Sequence, residues 1–172
     1  MKFSAMWLAL LYGVLLPALL GREAARSAEP IRPPEGSGQL LVQSAEGIGE
    51  MDMDTYLTGV LLGEMPADFE PEALKAQAVA ARTLACKSRL QGYKHPDADV
   101  CTDPGCCQAY CPEEAYLASG GSSADVEKIR KAVRDTRGQV QTYQGQLIEA
   151  TYFSCSGGRT EDAFAVWGAH IP

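Results

Sequence analysis

The stretch MDMDTYLTGVLLGEMPADFEPEALKAQAVAARTLACKSRL, residues 51–90, carries the signals of two consecutive helices. Asp52 or Asp54 can cap the first helix, which the apolar spacing places over residues 55–63. Pro66 ends this helix, because proline cannot continue the helical hydrogen-bond ladder. The pattern therefore predicts a short first helix with one apolar side.

The second helix signal begins at Pro71, a residue type favoured in the first turn, and runs to about residue 90. The stretch is rich in alanine, the strongest helix former, and Gly92 is well placed to stop it. Its small side chains permit close packing against the first helix. The two segments together predict a helical hairpin.

Shorter elements are predicted around this hairpin. Residues 39–43 are a short apolar run typical of a strand, and Ser123 begins a third helix over 124–137 that Gly138 ends. The remaining predicted elements are a helical turn at 113–119 and two strands, 139–143 and 147–154, joined by a turn at Gln144 and Gly145. Residues 92–112 are dense in Cys, Pro, Gly and Asp, and no regular element is expected there. The predicted fold class is α+β: a helical hairpin packed with a small antiparallel sheet, and a loop that needs something other than a core to order it.

Length and composition limit the class of protein. The chain has 172 residues, 46% hydrophobic and 22% charged, which is enough for one folded domain and too apolar for a disordered chain. The net charge of -7 excludes nucleic acid as an expected partner, because phosphate binding needs clustered Lys and Arg. The motifs of zinc proteases, α/β-hydrolases, nucleotide-binding proteins and zinc deaminases are absent from the sequence.

The N-terminus is predicted to carry an export signal rather than a buried core helix, because Pro17 and the terminal position argue against a core helix. Lys2 precedes an uncharged apolar run over residues 3–20, whose length lies between that of a signal-peptide core and that of a spanning helix. Residues 1–27 are therefore predicted to be either a cleaved signal peptide or a retained membrane anchor. Residues 28–38 are rich in Pro, Gly and Glu and are predicted to be a linker, which leaves 39–172 as the folded domain. The domain is therefore expected to be exported, either anchored at the cell membrane or secreted, and export permits disulfides.

Glu64 lies at the predicted end of the first helix, within GEMP, residues 63–66. Leu61 and Leu62 beside it allow an apolar pocket, and a carboxyl group in such a pocket can act as a general acid near neutral pH. The alternative is an ordinary solvated glutamate at a helix end. Spacing alone leaves both interpretations open.

His95, Cys101 and Cys107 have five residues between each successive pair. They combine an imidazole with thiols, the ligand types of a zinc site. A metal would order a loop that has few apolar side chains. The alternative is a set of disulfides, and Cys111 is also nearby. Because the adjacent Cys106 and Cys107 cannot easily face one partner together, at least one of them is expected to be spare.

The segment YFSCSGGRT, residues 152–160, follows the last predicted strand. Its hydroxyl groups and glycines suit a loop that faces a ligand, and an ordinary turn is the alternative. Cys155 as a nucleophile would need a histidine base, and the chain has only His95 and His170.

Four blocks occur in the same order as in a known family. They are MDMDTYLTGVLLGEMP, EALKAQAVAARTLA, HPDADVCTDPGCCQAY and TRGQVQTYQGQLIEATYFSCSGGRTEDAFAVWG. By these blocks the chain, from about residue 39 to 172, resembles the stage II sporulation protein D family, the peptidoglycan lytic transglycosylases of spore formers. The amidase-enhancer proteins share this domain. Family members usually continue well beyond the Val166-Trp167-Gly168 block, so the chain is expected to be C-terminally truncated relative to the family.

The resemblance implies that Glu64 is the catalytic glutamate, and that His95, Cys101 and Cys107 bind a structural zinc ion. It implies cleavage of the bond between N-acetylmuramic acid and N-acetylglucosamine, leaving 1,6-anhydro ends, in cell-wall remodelling during sporulation. Motif position suggests six side chains that hold the sugar: Lys75, Gln77, Arg82, Tyr152, Ser154 and Ser156.

Two other functions remain open at this point. One is a non-catalytic amidase enhancer that binds peptidoglycan. The other is a zinc hydrolase, since three protein ligands leave a fourth position open. The expected partners are glycan strands, a peptidoglycan amidase, and the membrane through the N-terminal segment.

Overall fold

A computed structural model describes residues 38–92, 94–153 and 156–168. The predicted signal or anchor segment, nearly all of the predicted linker, and Ser154 and Cys155 lie outside the described residues. Within the described ranges, none of the helices has the length and apolar character that crossing a bilayer requires.

The first sheet is built on β1 (Gln39–Ser44), which turns directly into β2 (Gly47–Asp52). The two strands pair antiparallel, and β3 (Val100–Cys101) joins the other side of β1 in parallel, giving the order β2-β1-β3. The strand predicted at 39–43 is confirmed. β2 was not predicted, because GIGEMD contains two glycines and no regular apolar alternation. The sheet is mixed rather than antiparallel, and β3 lies inside a loop where no regular element was expected.

Helix α1 (Met53–Glu64) begins where β2 ends, because the Asp52 carboxylate accepts the backbone N–H of Asp54 at 2.9 Å. This cap starts the helix two residues before the predicted position. The helix ends at Glu64, with Met65 as its C-cap, ahead of Pro66 as expected. Its inward-facing side chains are fully buried: Tyr56, Leu57, Val60 and Leu61.

Helix α2 (Pro71–Gln91) matches the predicted second helix and ends at Gly92 in the left-handed conformation, with φ of 59°. Helix α3 (Glu113–Ala118) is a short helix where a helical turn was predicted, and α4 (Ser123–Asp135) follows it. A capping box between Ser122 and Asp125 begins α4. Helices α1 and α2 pack against each other, and α4 packs against both. The predicted hairpin is therefore completed by a third helix.

The C-terminal elements are shorter than predicted. Only β4 (Thr142–Tyr143) and β5 (Gln146–Leu147) pair, around a turn in which Gln144 and Gly145 both have positive φ. The longer strands predicted at 139–143 and 147–154 are wrong in length, because within the described ranges no further strand pairs with this hairpin. A last helix, α5 (Ala163–Trp167), was not predicted. The described residues thus form a mixed α+β fold with five helices and two small sheets.

Candidate functional site

Glu64 is the last residue of α1, and its side chain is half-buried. Its Oε1 accepts the backbone N–H of Ala109 at 2.7 Å. A carboxylate that accepts an N–H bond is held more firmly than a neutral acceptor. A residue 45 positions along the chain therefore orients the Glu64 carboxylate.

Two glycines of α1 allow this contact. A Cβ atom on Gly63 would lie 3.0 Å from the backbone of Ala109, and one on Gly59 would lie 2.2 Å from the ring of Tyr110. The Cys111 N–H also donates to the Gly59 carbonyl at 2.9 Å. Because glycines stand one turn apart on the same helix face, the chain after the cysteine-rich loop can lie directly against α1 at Glu64.

Tyr152 and two glutamines complete the surroundings of Glu64. The Tyr152 hydroxyl donates to Gln108 Oε1 at 3.3 Å, and the Gln77 amide lies beside the same hydroxyl. Burial, and then the negative charge of the neighbouring Glu64, raises the pKa of Tyr152 well above its ordinary value, so its hydroxyl stays protonated. The structure therefore brings together three of the predicted site residues: Glu64, Gln77 and Tyr152.

A second cluster contains His95, Cys101, Cys106 and Cys107, whose possible ligand atoms all lie within 4.8 Å of one another. His95 Nε2 is 3.4 Å from Cys107 Sγ and 3.6 Å from Cys106 Sγ. Burial raises the pKa of the Cys107 thiol to about 12. The five cysteines in the described ranges are free thiols. These four side chains can hold a metal ion.

The expectation that Cys106 or Cys107 would be spare is wrong. The backbone N–H groups of both residues donate to the Asp103 carbonyl, at 3.1 and 2.9 Å. This tight turn brings both thiols to His95, whereas an extended backbone would point them to opposite sides. Cys111 lies outside the cluster.

The fold holds this cluster from two sides. Cys101 lies in β3, and its carbonyl accepts the hydroxyl of the fully buried Tyr56 at 3.1 Å. Just before it, the Asp99 carboxylate accepts the Leu41 N–H at 2.9 Å. The loop is therefore anchored to the core through β1 and α1 as well as through its own cysteines.

Two of the residues predicted to hold the sugar face other parts of the fold. Arg82 is 4% exposed and donates to the carbonyls of Thr136 at 2.7 Å and Val133 at 2.9 Å, which argues against a sugar contact. Lys75 pairs with Glu72 at 2.8 Å and lies 3.6 Å from Asp135, so it faces α4.

The two predicted serines remain untested. Ser156 is exposed, and Ser154 lies outside the described residues.

Sequence reasoning missed Gln108 and Ala109. The sequence pattern does not indicate that Gln108, in an irregular loop, becomes buried. Ala109 acts through its backbone N–H, which every residue except proline has, so its residue type does not reveal this contact. Cys106 carried a usable signal, since its residue type and its position beside Cys107 both suit a ligand.

The fold and site define a class: a mixed α+β domain in which a glutamate at a helix end is held by the segment that leaves a His/Cys cluster. A profile of the Stage II sporulation protein family matches residues 42–143, which is more than half of the chain. The chain therefore belongs to the Stage II sporulation protein family.

Three curated relatives support this assignment. Stage II sporulation protein D of Bacillus subtilis (strain 168) is 34% identical over 159 residues, covering 90% of this chain and 46% of that protein. The protein of the same name in Bacillus amyloliquefaciens is 32% identical over 170 residues, covering 90% of this chain and 49% of that protein. The amidase enhancer of B. subtilis is 39% identical over 116 residues, covering 67% of this chain and 14% of that protein. The chain spans about half the length of the two sporulation proteins it matches.

Proposed function

We propose that this protein is a peptidoglycan lytic transglycosylase of sporulation, with Glu64 as its acid and base. The observation that carries the proposal is the 2.7 Å bond from the Ala109 N–H, which holds the Glu64 carboxylate beside the Tyr152 hydroxyl. Family membership supports a role in sporulation. The relative named an amidase enhancer supports a role in cell-wall remodelling.

One carboxyl group is enough for this reaction. Glu64 first protonates the oxygen that leaves the muramic C1 atom, and then, as a carboxylate, takes the proton from the muramic C6 hydroxyl as that oxygen attacks C1. No water is added, and the strand ends in a 1,6-anhydro sugar. Because Oε1 is engaged by Ala109, the other carboxyl oxygen carries the proton.

A hydrolase of the usual kind would need a second carboxylate at a set separation. Three further glutamates could supply it by residue type: Glu149 is paired with Lys87 at 2.9 Å, and Glu70 and Glu161 are exposed. These placements favour a mechanism with a single carboxylate.

The His/Cys cluster fits a structural zinc ion. A Cys₃His set is a common tetrahedral zinc site, and nitrogen and sulfur ligands of such an ion lie roughly 3.6 Å apart. The distances of 3.4 and 3.6 Å from His95 Nε2 to the two neighbouring thiols agree with that value. The four residues would hold zinc and order the loop, and with Cys106 as fourth ligand the site has no open position. This set disfavours the zinc-hydrolase alternative.

The second candidate function is a non-catalytic amidase enhancer. It is favoured by the 39% identity to the protein of that name. In this case the surface around Glu64 binds glycan strands without cleaving them, and a peptidoglycan amidase is the partner.

Mass spectrometry of digested glycan strands separates these functions. A lytic transglycosylase leaves anhydro ends, a hydrolase leaves reducing ends, and an enhancer leaves the strands intact. We expect Glu64→Gln to retain glycan binding but to lower the release of anhydro ends by about 10²–10⁴-fold, because the variant cannot donate a proton. Glu50→Gln, at an exposed glutamate of β2, is the control and should cleave normally. Normal cleavage by Glu64→Gln would remove Glu64 from the mechanism.

We also propose that the protein is exported, either anchored in the cell membrane facing the wall or released after cleavage. The support is the apolar run over residues 3–20. The folded domain would then begin near residue 39, after a linker.

A further inference from the structure

Gln108 is a buried side chain whose presence packing does not explain. It is 1% exposed and is the only amide among the buried polar side chains of the described ranges. Its Nε2 lies near the Tyr56 hydroxyl but makes no hydrogen bond of normal geometry among the described residues. A buried donor without a partner destabilises a protein, and an apolar side chain of similar size would avoid that penalty.

The other end of the same amide is engaged. Gln108 Oε1 accepts the Tyr152 hydroxyl at 3.3 Å, and that hydroxyl lies beside the Glu64 carboxylate. Gln108 also directly precedes Ala109, whose N–H binds Glu64 Oε1 at 2.7 Å. Two adjacent residues of one loop therefore reach Glu64, one through its backbone and one through Tyr152.

We propose that Gln108 is a positioning residue for Glu64, whose side-chain carbonyl holds the Tyr152 hydroxyl beside the carboxylate. The inference rests on the proposed role of Glu64 as acid and base. The hydroxyl has one proton and two acceptors within reach, the Gln108 carbonyl and the Glu64 carboxylate. While Gln108 accepts that proton, the Glu64 oxygen not bound by Ala109 remains available to exchange a proton with the glycan. Without Gln108, the hydroxyl turns to Glu64 and occupies that oxygen.

The test compares Gln108→Met with the wild-type full chain on purified glycan strands. Methionine fills a similar volume and has no amide to leave unpaired. We expect an equal or higher melting temperature, an unchanged KM, and a kcat lowered by about 10- to 100-fold, the size of effect that misplacement of a catalytic group produces. The ¹³C signal of the Glu64 carboxyl, identified by its loss in Glu64→Gln, should also move.

Two further variants show the route of the effect. In the Gln108→Met/Tyr152→Phe double variant no hydroxyl is left to occupy the Glu64 oxygen, so its kcat should be no lower than that of Tyr152→Phe alone, because Gln108 acts through the Tyr152 hydroxyl. Thr83→Val is the matched control. Thr83 is fully buried on α2 and accepts the Gln141 N–H at 2.9 Å, so its loss should lower the melting temperature without changing kcat or the Glu64 signal.

Three results would overturn the proposal: a Gln108→Met variant that unfolds, one with normal kcat and an unmoved Glu64 signal, or losses from Gln108→Met and Tyr152→Phe that multiply. Failure of the proposed function would look different. In that case the wild-type protein releases no anhydro ends, while the Glu64 signal still moves in Gln108→Met.

Discussion

Arg82 shows how a charged residue can serve the fold rather than a ligand. Its guanidinium is 4% exposed and donates to carbonyls at the end of α4, while Asp54 lies 4.0 Å away. Burial lowers the pKa of Arg82, and the negative charge of Asp54 opposes that shift. A cation at a helix C-terminus also interacts favourably with the helix dipole. Arg82 therefore ties α2 to α4.

We expect Arg82→Met to lower the free energy of unfolding by about 1.5–3 kcal/mol, because it leaves buried carbonyls without their charged donor. Urea unfolding measures the change. Arg134→Met is the matched control, since Arg134 forms an exposed pair with Glu127 at 2.5 Å and should contribute much less. Equal losses in both variants would contradict the structural role of Arg82.

At the scale of elements, the site depends on a loop that packs against a helix. The loop that contains the His/Cys cluster leads directly into the segment at residues 108–111, and this segment lies against the two glycines of α1. Because the Ala109 N–H binds Glu64 Oε1, an ordered loop also fixes the position of the Glu64 carboxylate. A short strand and a few hydrogen bonds anchor the loop. The proposed metal would supply the remaining stabilisation of its folded conformation.

We expect His95→Ala and Cys107→Ala each to lower the bound zinc, measured by elemental analysis, and to lower the melting temperature. Chelator should lower the melting temperature of the wild-type protein, because zinc stabilises only the folded loop. Cys111→Ala is the control and should keep its zinc, since Cys111 lies outside the cluster.

The disulfide alternative makes the opposite forecast for the same melts. Reductant alone would then lower the melting temperature, and chelator would have no effect. Protein purified without chelator that contains no zinc would remove the zinc proposal and leave the proposal for Glu64 standing.

At the scale of the whole molecule, the chain combines an acidic composition with an apolar N-terminal run. Its net charge of -7 gives it no electrostatic attraction to anionic lipid surfaces. The apolar run is therefore the part of the sequence that would direct the chain to or across a membrane.

We expect the full chain to reach the membrane or the medium, and a chain lacking residues 1–27 to stay inside the cell. Fractionation with a high-salt wash of the membranes measures this, and the N-terminal mass of the full chain shows whether the segment is cleaved. Export of the shortened chain would contradict the assignment of residues 1–27.

The sequence by itself determined four of the five helices of the described residues and the family. The caps at Asp52 and Gly92 and the alanine-rich stretch between them are local signals, and local signals survive without knowledge of the rest of the fold. The four ordered blocks likewise identified Glu64 as the candidate acid and His95, Cys101 and Cys107 as candidate ligands.

Only the tertiary structure decided how these residues meet. The pairing of β3 with β1, the approach of both Cys106 and Cys107 to His95, and the contact from Ala109 to Glu64 all join positions that local patterns treat separately. Arg82 and Gln108 are polar, and residue type alone places polar side chains at the surface. Both are buried because the packing of α4 and of the loop closes over them, and burial of that kind depends on contacts far apart in the chain.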